Sequence, residues 1–192
     1  PLLSSILIGA FIIGIAIGCL MCSNLSGKRV EPGIIPLGAV GLSLFSLDLY
    51  YSFNAYEDNL SPESLVSIMS FLKINSGRHI VVDLILIGAF GGLFIVPLYA
   101  MIQERTESGK RARIIAVNNI INSVFMVLGS LLGIVFLAFL GWNIPEFFLF
   151  MALLNLMFSG FICFRVPEFY ERFKLWIATK IHSLKRFLVG RT

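Results

Sequence analysis

GGLFIVPLYAMIQERTESGKRARIIAVNNIINSVFMV, residues 91–127, passes from an apolar run through a charged loop into a second apolar run that carries three asparagines. A short loop holding Arg105, Lys110, Arg111 and Arg113 between two such runs is the pattern of a chain that leaves a bilayer and re-enters it. The whole chain agrees: 192 residues are 57% hydrophobic and 14% charged, with 18 Phe and a mean hydropathy of +0.90. An ordinary soluble domain is only about half apolar. A bilayer core about 30 Å thick takes about 20 mostly apolar residues to cross as a helix. Five stretches are long enough, 1–22, 34–53, 80–102, 114–140 and 144–164. This predicts an all-α membrane protein of five transmembrane helices within 1–166, followed by a basic amphipathic helix over 167–192. The first run has no basic leader and is too long for a removable signal peptide.

The loops orient the chain. Every basic residue except Lys73 and Arg78 falls in segment 23–33, segment 103–113 or the tail from Arg165 onward. Glu57, Asp58, Glu63 and Glu146 accumulate on the other side. By the positive-inside rule the basic side is cytoplasmic, which places the N-terminus outside and the tail inside. The net charge of +4 therefore reports topology and contact with anionic lipid head groups, not nucleic acid. The chain starts at Pro1, already within an apolar run, and an odd number of spans fits poorly with the 3+3 repeats of many transporters. The expectation is a fragment with one span missing in front.

Catalytic and metal chemistry find no residues. Cys19-x-x-Cys22 lacks the second pair of a zinc site and the βαβ setting of a redox motif, so these cysteines and Cys163 read as packing residues. His79 and Asp83 come near the His-x-x-x-x-Asp pair of glycerolipid acyltransferases, but only three residues separate them, and the other histidine, His182, lies in the tail. The chain is expected not to be an enzyme and to hold no cofactor.

Residues 18–29, GCLMCSNLSGKR, resemble a degraded copy of the signature loop G-x-L-x-D-R-x-G-R-K of the major facilitator superfamily. Cys22 stands where the family has aspartate, and the spacing to Gly27 is one residue looser. Gly18, Gly27, Lys28 and Arg29 would then form a cytoplasmic gating loop. Residues 91–127 are closer, and resemble the lysophospholipid transporters of that superfamily, above all the bacterial proteins in which the transporter is fused to an acyltransferase. The elements are Gly91-Gly92, Phe94 to Tyr99 with Pro97, Gln103, Arg105, Arg111-Ala112-Arg113, and Asn118-Asn119-Ile120 with Asn122, with weaker likeness at Leu47 to Tyr50 and Val166 to Phe169. The resemblance implies helices 8 to 12 of a twelve-helix carrier of the bacterial inner membrane, with the N-terminal half and helix 7 absent. It implies lysophospholipid as substrate and an acyltransferase domain beyond Thr192, announced by a downstream His-x-x-x-x-Asp motif. The alternative is a membrane-anchoring module for such a domain, without transport of its own.

Several side chains then matter. Asn118, Asn119 and Asn122 share one side of their helix. Asn122 is the deepest, roughly 12 Å from the end of its span at about 1.5 Å per residue. The stripe either binds helices together or lines a cavity. Asp48 lies roughly 21 Å along its span, where an unpaired charge costs at least about 2.5 kcal/mol, so it reads as a pathway residue. Asp83, three residues from the end of its expected span, reads as able to reach water. Gly91, Gly92 and Pro97 read as hinge or packing positions. Gly14-x-x-x-Gly18 and Gly129-x-x-x-Gly133 are weaker packing signals. Ser61-Pro62-Glu63 predicts a helix start, with Leu65, Ile68, Met69 and Leu72 as its apolar face. Phe169, Phe173, Trp176, Ile177, Ile181, Leu184 and Leu188 predict an apolar stripe on the tail, opposite Arg172, Lys174 and Lys185, lying in the membrane interface.

Overall fold

The computed structural model describes residues 2–27, 31–58 and 68–189, the last without the side chains of residues 180 and 182–189. Its helices are α1 (Leu2–Leu25), α2 (Ile34–Glu57), α3 (Ile68–Lys73), α4 (Asn75–Arg105), α5 (Arg111–Ile134), α6 (Ile144–Arg165) and α7 (Pro167–Val189). A wider π turn, Val135–Phe139, continues α5. Five of these are long and apolar enough to cross a membrane. Lys28, Arg29, Ser61, Pro62, Glu63 and Leu65 lie outside the described residues.

The spanning helices overrun their apolar stretches because a backbone amide leaving hydrocarbon still needs a partner, and another helical turn supplies one. The clearest case is α4, whose 31 residues reach roughly 46 Å, well beyond a core about 30 Å thick. Its start at Asn75 puts Asp83 two turns inside the helix, deeper than the apolar run starting at 80 implies.

Four glycines bring α1 and α4 together. A Cβ on Gly14 would strike the Ile85 carbonyl, one on Gly18 the Ala89 carbonyl, and one on Gly88 the Phe11 carbonyl; on Gly92 it would lie 2.8 Å from the Cys19 amide nitrogen. Two glycines four apart on each helix thus interlock, which lets the backbones touch where larger side chains would hold them apart. The pair at Gly14 and Gly18 is a packing surface in full. Gly129 meets nothing within 4 Å and Gly133 only the Phe147 ring, so the same spacing on α5 does no such work.

On its other side α4 meets α2 through Gly38, against the Phe94 backbone, and Gly41, against the Phe90 ring, which stacks on Phe45 at 5.3 Å. A polar knot then ties α2 to α6. Ser43 Oγ donates to the Ala152 carbonyl at 3.1 Å, and Asn155 Nδ2 donates to the Ala39 carbonyl and to Ser43 Oγ, each at 2.9 Å. Glu146, the third charge of the apolar runs, caps α6 by accepting from the Asn143 amide at 2.8 Å, in a reciprocal capping box. Before it, Gly141 takes φ +69°, the left-handed turn that ends the preceding helix.

Two expected faces are corrected. In α3 it is Phe71 that is buried, edge-on to Tyr56 at 4.9 Å, while Met69 and Leu72 are exposed; Phe71 wins because α3 is tucked against the start of α4 and the end of α2. In α7 the front of the apolar stripe packs on the bundle. Phe169 is buried, Trp176 Nε1 donates to the Leu25 carbonyl at 3.3 Å, and Glu168 pairs with Arg105. Gly33 permits this docking, since a Cβ there would lie 2.7 Å from the Arg172 carbonyl oxygen. Leu175 and Ile181 remain exposed.

The seam carries a stability prediction. Gly18→Leu must push α1 off a backbone carbonyl and should cost about 3 kcal/mol, whereas Gly129→Ala fills open space and should stabilise α5 by up to about 1 kcal/mol. Thermal unfolding of both variants in detergent, followed by circular dichroism, should separate them in opposite directions.

Candidate functional site

A carboxyl group deep in a spanning helix needs a partner, and the structure gives Asp48 and Asp83 to each other. They stand on α2 and α4, close enough for their side chains to interact electrostatically. Ser52, one turn along from Asp48, donates its hydroxyl to Asp83 Oδ2 at 2.9 Å, and His79 lies one turn before Asp83 within electrostatic reach. Burial falls opposite to expectation. Asp83 is 2% exposed, whereas Asp48 is on the exposed side of α2. The reason is the early start of α4, which carries Asp83 into the α2 contact.

The asparagine stripe divides. Asn118 Nδ2 and Asn122 Nδ2 both donate to the Tyr99 hydroxyl of α4, at 3.0 and 2.8 Å. These amides join α5 to α4. Asn119 instead lines an open groove of about 480 Å³ along α5, with Ile120, Ser123, Val124, Val127 and Leu128. The deepest asparagine, Asn122, is therefore the one with the shorter bond to its neighbour, and the shallower Asn119 faces open space. Beyond Tyr99, α5 meets α6 through Phe136, whose ring lies 4.7 Å from Phe150, and none of the residues of α5 is buried.

Level with the acid pair, an apolar cavity of about 470 Å³ opens between α1, α2, α4 and the start of α6. Leu49, Phe53, Ile80, Leu84 and Ile87 line it together with Leu7, Phe11 and Phe148. Leu49, Phe53 and Leu84 directly follow Asp48, Ser52 and Asp83 in the chain, so the cavity and the acid cluster share two helices while facing different sides of them. This volume lies in the range of small-molecule pockets, about 300–1,000 Å³. Along α4, Asp83 and Tyr99 are roughly 24 Å apart, which puts the acid pair and the Tyr99 cluster in opposite halves of the bundle.

The remaining positions divide by environment. Gly92 is at the α1 seam, while Gly91 has only a Leu42 methyl at 3.8 Å. Pro97 is buried within α4, where its missing N–H leaves the Leu93 carbonyl without its helical donor. Gly18 belongs to the seam, and Gly27 takes φ +61° just after α1, a turn that any side chain would strain. Cys22 is buried beside Ile34 and Leu93, and all three cysteines are free thiols. Among the described residues no group of His, Cys, Asp or Glu is arranged to hold a metal. Ser52, Tyr99 and Asn155 were absent from the sequence reading of the site. Asn155 had a signal, an amide in an apolar run with Ser159 four residues on, whereas a serine and a tyrosine have none until their partners are known.

Comparison with known families gives one match. The model of the Major Facilitator Superfamily covers residues 61–184, from the segment before α3 through most of α7. No curated protein and no solved structure matches the chain. The matched region includes α4, α5 and α6 with the Tyr99 cluster, and it accounts for well over half of the sequence. With five helices long and apolar enough to span a membrane, this multi-pass membrane chain belongs to the Major Facilitator Superfamily, a family of secondary transporters.

Proposed function

We propose that the chain is part of the C-terminal half of a carrier that moves lysophospholipid from the outer to the inner leaflet of a bacterial inner membrane by alternating access, in step with re-acylation by a fused acyltransferase. The observation that carries this reading is the apolar cavity between α1, α2, α4 and α6, set beside the Asp48–Asp83 pair. A single-chain lipid is an amphiphile, and an apolar cavity on the same helices as an acid cluster suits it: Leu49, Phe53, Leu84 and Ile87 take the acyl chain while Asp48, Asp83 and Ser52 take polar atoms of the head group. The resemblance of residues 91–127 to lysophospholipid transporters supports the same substrate. In this reading the basic loops face the cytoplasm and the N-terminal end of α1 faces outward. Re-acylation removes the imported lipid and draws transport inward by mass action.

Two experiments test the reading. Asp48→Asn and Asp83→Asn in the whole carrier keep shape and remove a titrating group, so uptake of labelled lysophospholipid into cells should fall at least tenfold with membrane expression unchanged. Unaltered uptake in both variants removes the acid pair from the pathway, and uptake absent from the parent protein too leaves only the anchoring role. At the opposite half, Tyr99→Phe removes the acceptor of both amides and should cost about 1 kcal/mol of stability. Combining it with Asn122→Leu should add little further loss. Cysteine at position 119 should react with an aqueous thiol reagent faster than cysteine at 122, since only Asn119 faces the open groove.

A further inference from the structure

Helix α7 lies across the ends of three spans and holds each by a different contact. Glu168 pairs with Arg105 at the end of α4, the backbone at Arg172 rests on Gly33 before α2, and Trp176 Nε1 donates to the Leu25 carbonyl at the end of α1. The Trp176 ring also packs on the buried cluster of Cys22, Ile34 and Leu93. The chain reaches α7 from α6 through Val166, which leaves helical geometry at φ −121° and ψ +82° because Pro167 follows it. A helix joined by one such residue can swing as a rigid piece, so α7 has the form of a strap hinged at one end.

The contacts that close the strap are of a kind that gives way. Arg105 and Glu168 are 56% and 38% exposed, and an exposed ion pair contributes little in water. The indole bond is long, at 3.3 Å. The helix is also built for a second position. It carries five basic residues against two acids, and Tyr170, Leu175 and Ile181 are half or more exposed. Crossing the ends of spans sets it at the depth of lipid head groups. A basic amphipathic helix at that depth is drawn to lipid in proportion to the negative charge the lipid carries. We propose that α7 exchanges between the bundle and the surface of an anionic membrane, so that the share of acidic lipid sets how firmly the ends of α1, α2 and α4 are strapped together. Phe173, Trp176 and Ile177, half-buried in the docked form, supply the apolar side in either position. Release takes the indole off its cluster, opens Cys22 to reagents and frees Arg105 from the tail. The exchange belongs to the tail helix and does not depend on which substrate the carrier moves.

The test uses the full 192-residue chain with Cys19→Ser and Cys163→Ser, which leaves Cys22 as its one thiol. It is reconstituted in vesicles of phosphatidylcholine alone or mixed equally with phosphatidylglycerol. Alkylation of Cys22 by membrane-permeant N-ethylmaleimide should be at least about fivefold faster in the mixed vesicles, the effect of one basic residue drawn to acidic lipid. Lys174→Gln, Lys180→Gln and Lys185→Gln together leave the helix without net charge and should bring the two rates level. Arg105→Gln breaks the ion pair without altering α7, so it should raise the rate in both lipids and keep their ratio. With Trp142→Phe, Trp176 is the sole tryptophan, and quenching of its emission by brominated acyl chains should rise with phosphatidylglycerol in step with the alkylation. Alkylation and quenching that are both indifferent to phosphatidylglycerol overturn the proposal, as does a lipid effect that survives loss of the three lysines.

Discussion

The close crossing of α1 and α4 is the contact on which the other arrangements rest. In lipid no hydrophobic effect draws helices together, since their side chains are as content against acyl chains as against one another. Backbone contact must supply the attraction, and it does so only where Cβ atoms are missing on both sides. Gly14, Gly18, Gly88 and Gly92 meet that condition in one row. With α4 fixed against α1, its other face presents Phe90 and Phe94 to the glycines of α2, and α2 in turn carries Ser43 to Asn155 of α6. One helix thus serves as the common axis of the bundle, and both polar clusters are mounted on it.

Those clusters follow a single rule in two forms. A polar side chain in hydrocarbon is tolerable when its hydrogen-bonding groups are returned to protein, and here each return crosses between helices. The Ser52–Asp83 bond joins α2 to α4, and Tyr99 joins α4 to α5.

Much of this architecture was legible in the sequence, for physical reasons that also mark the limit. Spans are visible because the cost of polar groups in lipid is large and accumulates over about twenty residues, so five of them stand out from composition alone. Which residues meet across helices is not written locally. Asp48 and Asp83 are each conspicuous as intramembrane acids, but nothing in either run announces the other. The apolar run alone places Asp83 near water, whereas α4 begins early enough to bury it. The glycine spacing was ambiguous for the same reason: it occurs at Gly14 and at Gly129, and only the neighbouring helix makes one a seam and the other open surface. The tail stripe showed that α7 has an apolar side, but an amphipathic pattern is equally satisfied by lipid and by protein.

Helix α5 is supported like a beam resting on two posts. The Tyr99 hydroxyl holds it near one end and the Phe136 ring cluster near the other, with roughly 21 Å of helix unsupported between Asn122 and Phe136. All of its backbone bonds are internal to the helix, so the span between the posts keeps its shape without help from neighbours. Loosening either post leaves a rod still pinned at the other, free to swing without unfolding and without disturbing the α1–α4 axis. In this bundle the helix that carries the packing and the helix with the fewest attachments are different ones.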